Sequence, residues 1–346
     1  MSHTWPQVLT SLVGGTDLDA ETAEWAMGQI LSGEASAAQI AGFAVALRQK
    51  QETLAEVEGL VAAMYAEATT LRIEDRVVDI VGTGGDMAKT VNISSMSAVT
   101  IAGAGVGVVK HGNRAASSQS GTADVFERLG VRLDLPAERI ADVYAEAGIT
   151  FCFAPVFHPA LRFAGPVRRE LGIPTIFNFL GPLTNPAHAS AAAIGCADAR
   201  MAPLMAGVMA GRGAEAFVFR GDDGLDEITV SATTQVWLPG PDGRIVAETF
   251  DPRELGFELA APDALRGGDP EFNADVFGRV IDGETGPVRD AVLLNAGAGI
   301  AAHAAEPGTF AERLGAGVRR AAESLDSGAA RATLDRWSQV TQRLAG

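Results

Sequence analysis

The spacing of apolar residues changes abruptly near residue 77. Upstream they recur every three to four positions; at Val77-Val78-Asp79-Ile80-Val81 a short β-branched run leads straight into Gly82-Thr83-Gly84-Gly85-Asp86. A strand running into clustered glycines and then a helical pattern is the opening unit of an α/β sheet, because glycine permits both the tight turn and a close approach of backbone to ligand.

Residues from about 4 to 70 read as helices. Ser36 with Gln39 and Thr53 with Glu56 have the spacing of capping boxes, and Gly33 is placed to end a helix. Leu54, Val57, Leu60, Val61 and Met64 form one apolar stripe on the third helix of this unit, to be buried in its own core or against a second subunit. Beyond residue 77, strands are expected at Val106–Val109, Thr150–Phe153, Pro174–Phe177, Ala216–Phe219, Ile228–Val230, Gln235–Leu238 and Ala291–Leu294, with helical patterns between most of them. The expected fold is α/β: a small N-terminal helical domain, residues 1–72 joined by part of 166–195, and a larger α/β domain, 73–346, around a central, mostly parallel sheet. The prolines at 174, 182 and 186 predict reversals rather than one long helix, and the stretches 221–227 and 239–243 predict tight turns.

A length of 346 residues with 47% hydrophobic and 20% charged residues exceeds what one core usually organises. The net charge of -16 and pI near 4.7 argue against nucleic acid or an anionic membrane as partner, so an anionic ligand must be held by local positive features. Cys152 and Cys196, with no CxxC or Cys/His cluster, predict neither a disulfide framework nor a zinc site. No basic leader or apolar run of about 20 residues is read, which predicts a cytoplasmic protein.

The glycine loop and the residues after it predict a phosphate site. Gly82, Gly84 and Gly85 allow close approach, the unpaired amides of a helix starting near Ser95 supply positive potential, and Asn92, Ser94 and Ser95 add side-chain contacts. The same residues also suit an unliganded turn with an N-cap. Thr83 and Ala88 exclude a P-loop, and Met87 stands where a dinucleotide fingerprint needs its third glycine.

Three further segments qualify. Lys110-His111-Gly112-Asn113-Arg114, followed by Ser117-Ser118-Gln119-Ser120, comes at the carboxyl end of a strand, where Lys110 can place charge on phosphate. In Gly165-Pro166-Val167-Arg168-Arg169, downstream of His158, one arginine can grip a carboxylate through two parallel hydrogen bonds. Asp226-Glu227 can share magnesium with phosphate oxygens, since that ion is held by one or two carboxylates plus substrate. Alone, each also reads as ordinary solvated surface.

Together with Asn178-Phe179-Leu180-Gly181-Pro182-Leu183-Thr184-Asn185-Pro186, these segments resemble the anthranilate phosphoribosyltransferase family in order and spacing over nearly the whole chain. The resemblance implies a nucleoside phosphorylase-like architecture, an active site between the domains and a homodimer formed through the helical part. It implies transfer of the 5-phosphoribosyl group from phosphoribosyl pyrophosphate to the amine of anthranilate in tryptophan biosynthesis, with Mg²⁺, two ions per site. Gly82, Thr83, Gly84, Gly85, Asp86, Thr90, Asn92, Ser94, Ser95, Lys110, Ser118 and Ser120 would hold phosphoribosyl pyrophosphate. Anthranilate would lie near Gly82, His111, Asn113, His158 and Pro182, with Arg168 on its carboxylate. Ser94, Asp226 and Glu227 would serve the metal. No dedicated acid or base is implied, because an aryl amine is already neutral at pH 7. Gln119 replaces a frequent lysine, and Ser95 a frequent threonine.

Two other classes compete. A pyrimidine nucleoside phosphorylase shares the architecture and also works at an anomeric carbon. A binding protein of the same fold is the second, and Gly297-Ala298-Gly299 with Ala302 approximates a dinucleotide fingerprint, though small residues there also suit close packing.

Overall fold

The computed structural model describes residues 3–114, 119–240 and 244–345. It opens with four helices, α1 (Trp5–Val13), α2 (Ala20–Leu31), α3 (Ala37–Lys50) and α4 (Leu54–Ala66), and both expected capping boxes are present, on α3 and α4. The apolar stripe therefore lies on the fourth helix, not the third. Val57, Leu60, Val61 and Met64 are buried, whereas Leu54 is exposed.

The rest alternates: β1 (Val78–Gly82), α5 (Ile93–Gly103), β2 (Val108–Gly112), α6 (Thr122–Arg128), α7 (Ala137–Ala147) and β3 (Ile149–Phe153). Three short helices follow, α8 (Ala154–Phe157), α9 (Gly165–Leu171) and α10 (Phe177–Leu183), then β4 (Ala191–Gly195), α11 (Met201–Gly211) and β5 (Glu215–Gly221). A hairpin, β6 (Thr234–Pro239) and β7 (Ile245–Phe250), and four helices complete the chain: α12 (Pro270–Ile281), α13 (Pro287–Ala304), α14 (Phe310–Asp326) and α15 (Ala329–Ala345).

The strands form one sheet in the order β3-β2-β1-β4-β5-β6-β7, with β1 to β5 parallel and the β5–β6 and β6–β7 pairs antiparallel. The chain runs outward from β1 through β2 to β3, then returns to place β4 on the other side of β1. That reversal opens a crevice at the carboxyl ends of β1 and β4, where open α/β sheets bind ligands. Helices α1–α4 share an apolar cluster with Val167, Phe177, Phe179, Leu180 and Leu183 of α9 and α10 and with α11, while a second cluster lies largely against the opposite face of the sheet. Among the described residues no helix is long and apolar enough to cross a membrane.

Several expected strands are corrected. Pro174–Phe177 leads into α10, its start tied by the Thr175 amide donating to Asn178 Oδ1 (3.1 Å). Ile228–Val230 is a loop held by Asn295, which bonds both the Ile228 N–H and its carbonyl (3.0 and 2.9 Å). Ala291–Leu294 lies inside α13, buried along nearly its whole length, and a helix apolar all round has no period to distinguish it from a buried strand. The reading also missed β4, whose Ala-Ala-Ala-Ile-Gly has little β-propensity but is sandwiched between β1 and β5, and the edge strand β7. Gly297 and Gly299 are in mid-helix: an added Cβ would meet Val318 of α14 at 2.8 Å and Ile101 of α5 at 2.5 Å, so the small residues serve packing. The expected turn at 239–243 lies partly outside the described residues.

Candidate active site

The cleft is built first by glycine. A Cβ on Gly82 would lie 2.2 Å from Asp226 Oδ2 and one on Gly195 1.6 Å from the Asp226 carbonyl oxygen, so the acidic turn after β5 seats directly on the ends of β1 and β4. The Gly84 amide donates to Asp226 Oδ2 (2.7 Å), and Gly84 and Gly85 both take left-handed backbone, as do Met87 and Lys89 further along the loop. The loop's far end is pinned at a distance in sequence: Gly267 N–H donates to the Lys89 carbonyl (2.8 Å) and Val91 N–H to that of Leu265 (2.9 Å).

The resulting cleft, about 350 Å³, is lined by the glycine loop, Thr90, Asn92, Ser94, Lys110, His111, Asn113, Ser120, His158, Arg168, Pro182, Asp226 and Glu227. The fold thus brings together nearly every residue expected there. Ser95 is the exception: it is fully buried on α5, its hydroxyl has no partner among the described residues, and it does not reach the cleft wall. Ser118 lies outside the described residues. The sequence reading missed the apolar wall of Met64, Leu161 and Phe177 and the backbone of Gly181. For Met64, membership in the α4 stripe was the available signal.

Charge is arranged in two zones. Burial, reinforced by the charge of Asp86, pushes the Asp226 carboxyl up to about 7, and burial beside Asp226 holds Glu227 well above the ordinary range. Lys110 of β2, buried, hydrogen-bonds the Ile80 carbonyl and reaches Ser94 Oγ at 3.3 Å; burial lowers its pKa while Asp79, Glu227 and Asp226 oppose that effect. Among the described residues no three His, Cys, Asp or Glu side chains converge as a protein-only metal cage requires. Two buried carboxyl groups crowded together beside a serine hydroxyl instead fit a divalent cation that takes its remaining ligands from a phosphate substrate.

At the other end, the Arg168 guanidinium sits over the Phe177 ring at 5.9 Å, its pKa lowered by burial, with no hydrogen bond or ion pair of its own among the described residues. A half-buried guanidinium without an anion is a site for one. Between the zones, His111 and His158 lie 5.1 Å apart. His111 Nδ1 faces the Gly181 carbonyl (2.9 Å) and therefore carries the proton, leaving Nε2 buried as a bare acceptor; His158 Nε2 faces the Thr184 carbonyl (2.7 Å). Burial lowers both, His111 to about 3, so both rings are neutral at pH 7.

Residues 74–331 match the glycosyl transferase family α/β domain, and residues 6–68 its helical bundle domain. The chain is 62% identical over 341 residues to anthranilate phosphoribosyltransferase from a Nocardioides species, spanning 98% of this chain and 99% of that relative. It is 59% identical to the Streptomyces griseus enzyme of the same name, over 97% and 95%. Among solved structures, anthranilate phosphoribosyltransferase from Thermus thermophilus superposes with a TM-score of 0.90 at 40% identity, covering 97% of this chain and 99% of that one. The Saccharomyces cerevisiae enzyme in complex with phosphoribosyl pyrophosphate and Mg shares the fold, with a TM-score of 0.88 at 24% identity over 98% of both chains.

Proposed function

Because the chain belongs to the anthranilate phosphoribosyltransferases, a branch of the glycosyl transferase family, we infer that its cleft joins the amine of anthranilate to the ribose carbon of phosphoribosyl pyrophosphate. The products are N-(5-phosphoribosyl)anthranilate and pyrophosphate, a step of tryptophan biosynthesis. What carries this reading is that one cleft is lined at one end by the Arg168 guanidinium and at the other by the glycine loop, Lys110 and the Asp226–Glu227 pair.

Phosphoribosyl pyrophosphate lies along the glycine loop, with Thr90, Asn92, Ser94, Lys110 and Ser120 around it. Asp226, Glu227 and Ser94 are the protein's share of the magnesium ligands, and the crowding of acids supports two ions. A magnesium ion held there would offset the negative charge of the leaving pyrophosphate. Anthranilate lies between His111, Asn113, His158 and Pro182 with its carboxylate on Arg168. As pyrophosphate leaves, positive charge develops on the ribose carbon. Lys110 and the loop amides stabilise the leaving oxygens, and fixed groups of this kind often supply the largest catalytic effect. The walls hold the neutral amine in line with the anomeric carbon, which contributes by positioning. His111 and His158, both neutral, act on it by position.

The apolar cluster of α1–α4 with α9 and α10 supports residues 1–72 with part of 166–195 as one domain and 73–346 as the other. Exposed Val13, Val45 and Leu54 support a homodimer formed through the helical part. Two buried, unpaired cysteines support a cytoplasmic setting.

The test mixes protein, anthranilate, phosphoribosyl pyrophosphate and Mg²⁺ and follows loss of anthranilate fluorescence. Loss that stops on chelation is expected. A folded protein that leaves the fluorescence unchanged but cleaves thymidine or uridine with phosphate would overturn the reading.

A further inference from the structure

Asn273, on the first turn and a half of α12, lies outside the cleft and is 2% exposed. Its Nδ2 donates to Asn92 Oδ1 (2.8 Å), 181 residues away in the chain, and its Oδ1 accepts from the Gly268 N–H (2.8 Å). We propose that Asn273 is a positioning residue for phosphoribosyl pyrophosphate, acting by locking the orientation of the Asn92 amide and by clamping the outer end of the glycine loop. This rests on the reading of Asn92 as a contact to that substrate.

An asparagine side chain has two faces of opposite character, a carbonyl oxygen that repels a polyanion and an NH₂ that binds it. On Asn92 the oxygen takes one hydrogen from Asn273 and a second from Ser120 Oγ (3.3 Å), while Nδ2 donates one hydrogen to the Ser120 carbonyl (3.1 Å). Both lone pairs and one N–H are thereby used. The group left for the cleft is the second N–H, a donor. Rotation of the amide by half a turn would set its NH₂ against the Asn273 NH₂ and turn the oxygen toward the substrate. The Asn273 donor makes that orientation costly, because two buried donors facing each other are left unpaired.

The second bond acts on the loop. Gly268 follows Gly267, whose N–H holds the Lys89 carbonyl, and Thr90 bridges Arg266. A Cβ on Gly267 would lie 2.6 Å from the Thr90 carbonyl oxygen, so this strap lies flat on the loop and Asn273 holds it there. The loop carries non-glycine residues in left-handed backbone, Met87 and Lys89, a conformation that persists only when neighbours enforce it.

The two bonds are separable. Asn273→Asp keeps an acceptor for Gly268 but presents oxygen to Asn92 Oδ1; Asn273→Ala removes both bonds. We expect the KM for phosphoribosyl pyrophosphate to rise about tenfold in Asn273→Asp, the equivalent of one buried hydrogen bond, and further in Asn273→Ala. The anthranilate KM should move little in Asn273→Asp, whereas the melting temperature should fall, because a buried carboxylate then faces the Asn92 oxygen; the kinetics are read well below it. Asn92→Ala is measured beside them. If Asn92→Ala leaves the phosphoribosyl pyrophosphate KM unchanged, the assignment of Asn92 fails and this inference falls with it. If Asn92→Ala raises it while Asn273→Asp does not, the site reading stands and the role of Asn273 is overturned. Should both KM values rise together in Asn273→Asp, the residue is structural only and the proposal is likewise overturned.

Discussion

The carbonyl oxygen of Asp226 occupies the space a side chain on Gly195 would need, 1.6 Å from the position of its Cβ. The acidic pair can approach the glycine loop only because β4 ends in glycine. Gly195→Ala is therefore expected to displace the 225–227 turn, break the Gly84–Asp226 bond and reduce kcat/KM by more than about 100-fold, with overpacking costing ~1–3 kcal/mol of stability. Kinetics together with chemical denaturation check this; an active, stable variant would show that the turn is free to shift without consequence.

Arg168 is the cation expected to bind the aromatic acid. Its removal in Arg168→Ala should raise the KM for anthranilate ~10- to 100-fold, the range of a charge-assisted hydrogen-bond pair, and leave that for phosphoribosyl pyrophosphate nearly unchanged. Arg168→Lys should recover only part of the loss, because a single ammonium does not reproduce the paired geometry. Equal effects on the two substrates would contradict the assignment.

The Asp226 carboxyl, lifted from 3.8 to about 7 by burial and by Asp86, makes a prediction about pH. Between those values the unfolded chain gives up its proton first, so this group weakens the native state progressively as pH rises, with its full cost reached above about 7. A bound divalent cation removes that cost but competes with the proton. The rise in melting temperature on adding Mg²⁺ with pyrophosphate should thus be small near pH 5 and grow through pH 7. A shift that is flat with pH would sink the idea.

In the helical part, Glu56 is fully buried on the first turn of α4. Its carboxylate accepts from the Leu18 amide (2.9 Å), Lys50 Nζ (3.0 Å) and the Thr53 amide (2.8 Å). Glu56→Ala leaves these donors unmet and should cost ~3 kcal/mol or more, while Glu56→Gln keeps part of the set and should cost less. Urea unfolding measures both. The anthranilate KM at 25 °C is expected to stay the same in Glu56→Gln, since Glu56 does not line the cleft.

What could be read from the chain alone was local. The capping boxes at Ser36 and Thr53 and the glycine loop after β1 were legible because their signals sit within a few residues of one another, and the order of these motifs carried the family resemblance. Lys110 and His111 were expected just beyond a strand ending at Val109 and instead lie within β2, which runs to Gly112; as consecutive strand residues they point to opposite faces of the sheet.

The tertiary structure decided everything that depends on contacts between distant segments. Ala191–Gly195 has no intrinsic reason to be a strand; it becomes one because β1 and β5 bond it on both sides. Ser95 was expected beside Ser94 in the site, but successive helical residues point about 100° apart, so Ser94 faces the cleft and Ser95 the core. The burial of His111, the placing of the Arg168 guanidinium over Phe177 and the bond from Asn273 to Asn92 exist only once the chain is folded. Spacing along a sequence determines which groups are available, whereas their direction, burial and partners are properties of the packed molecule.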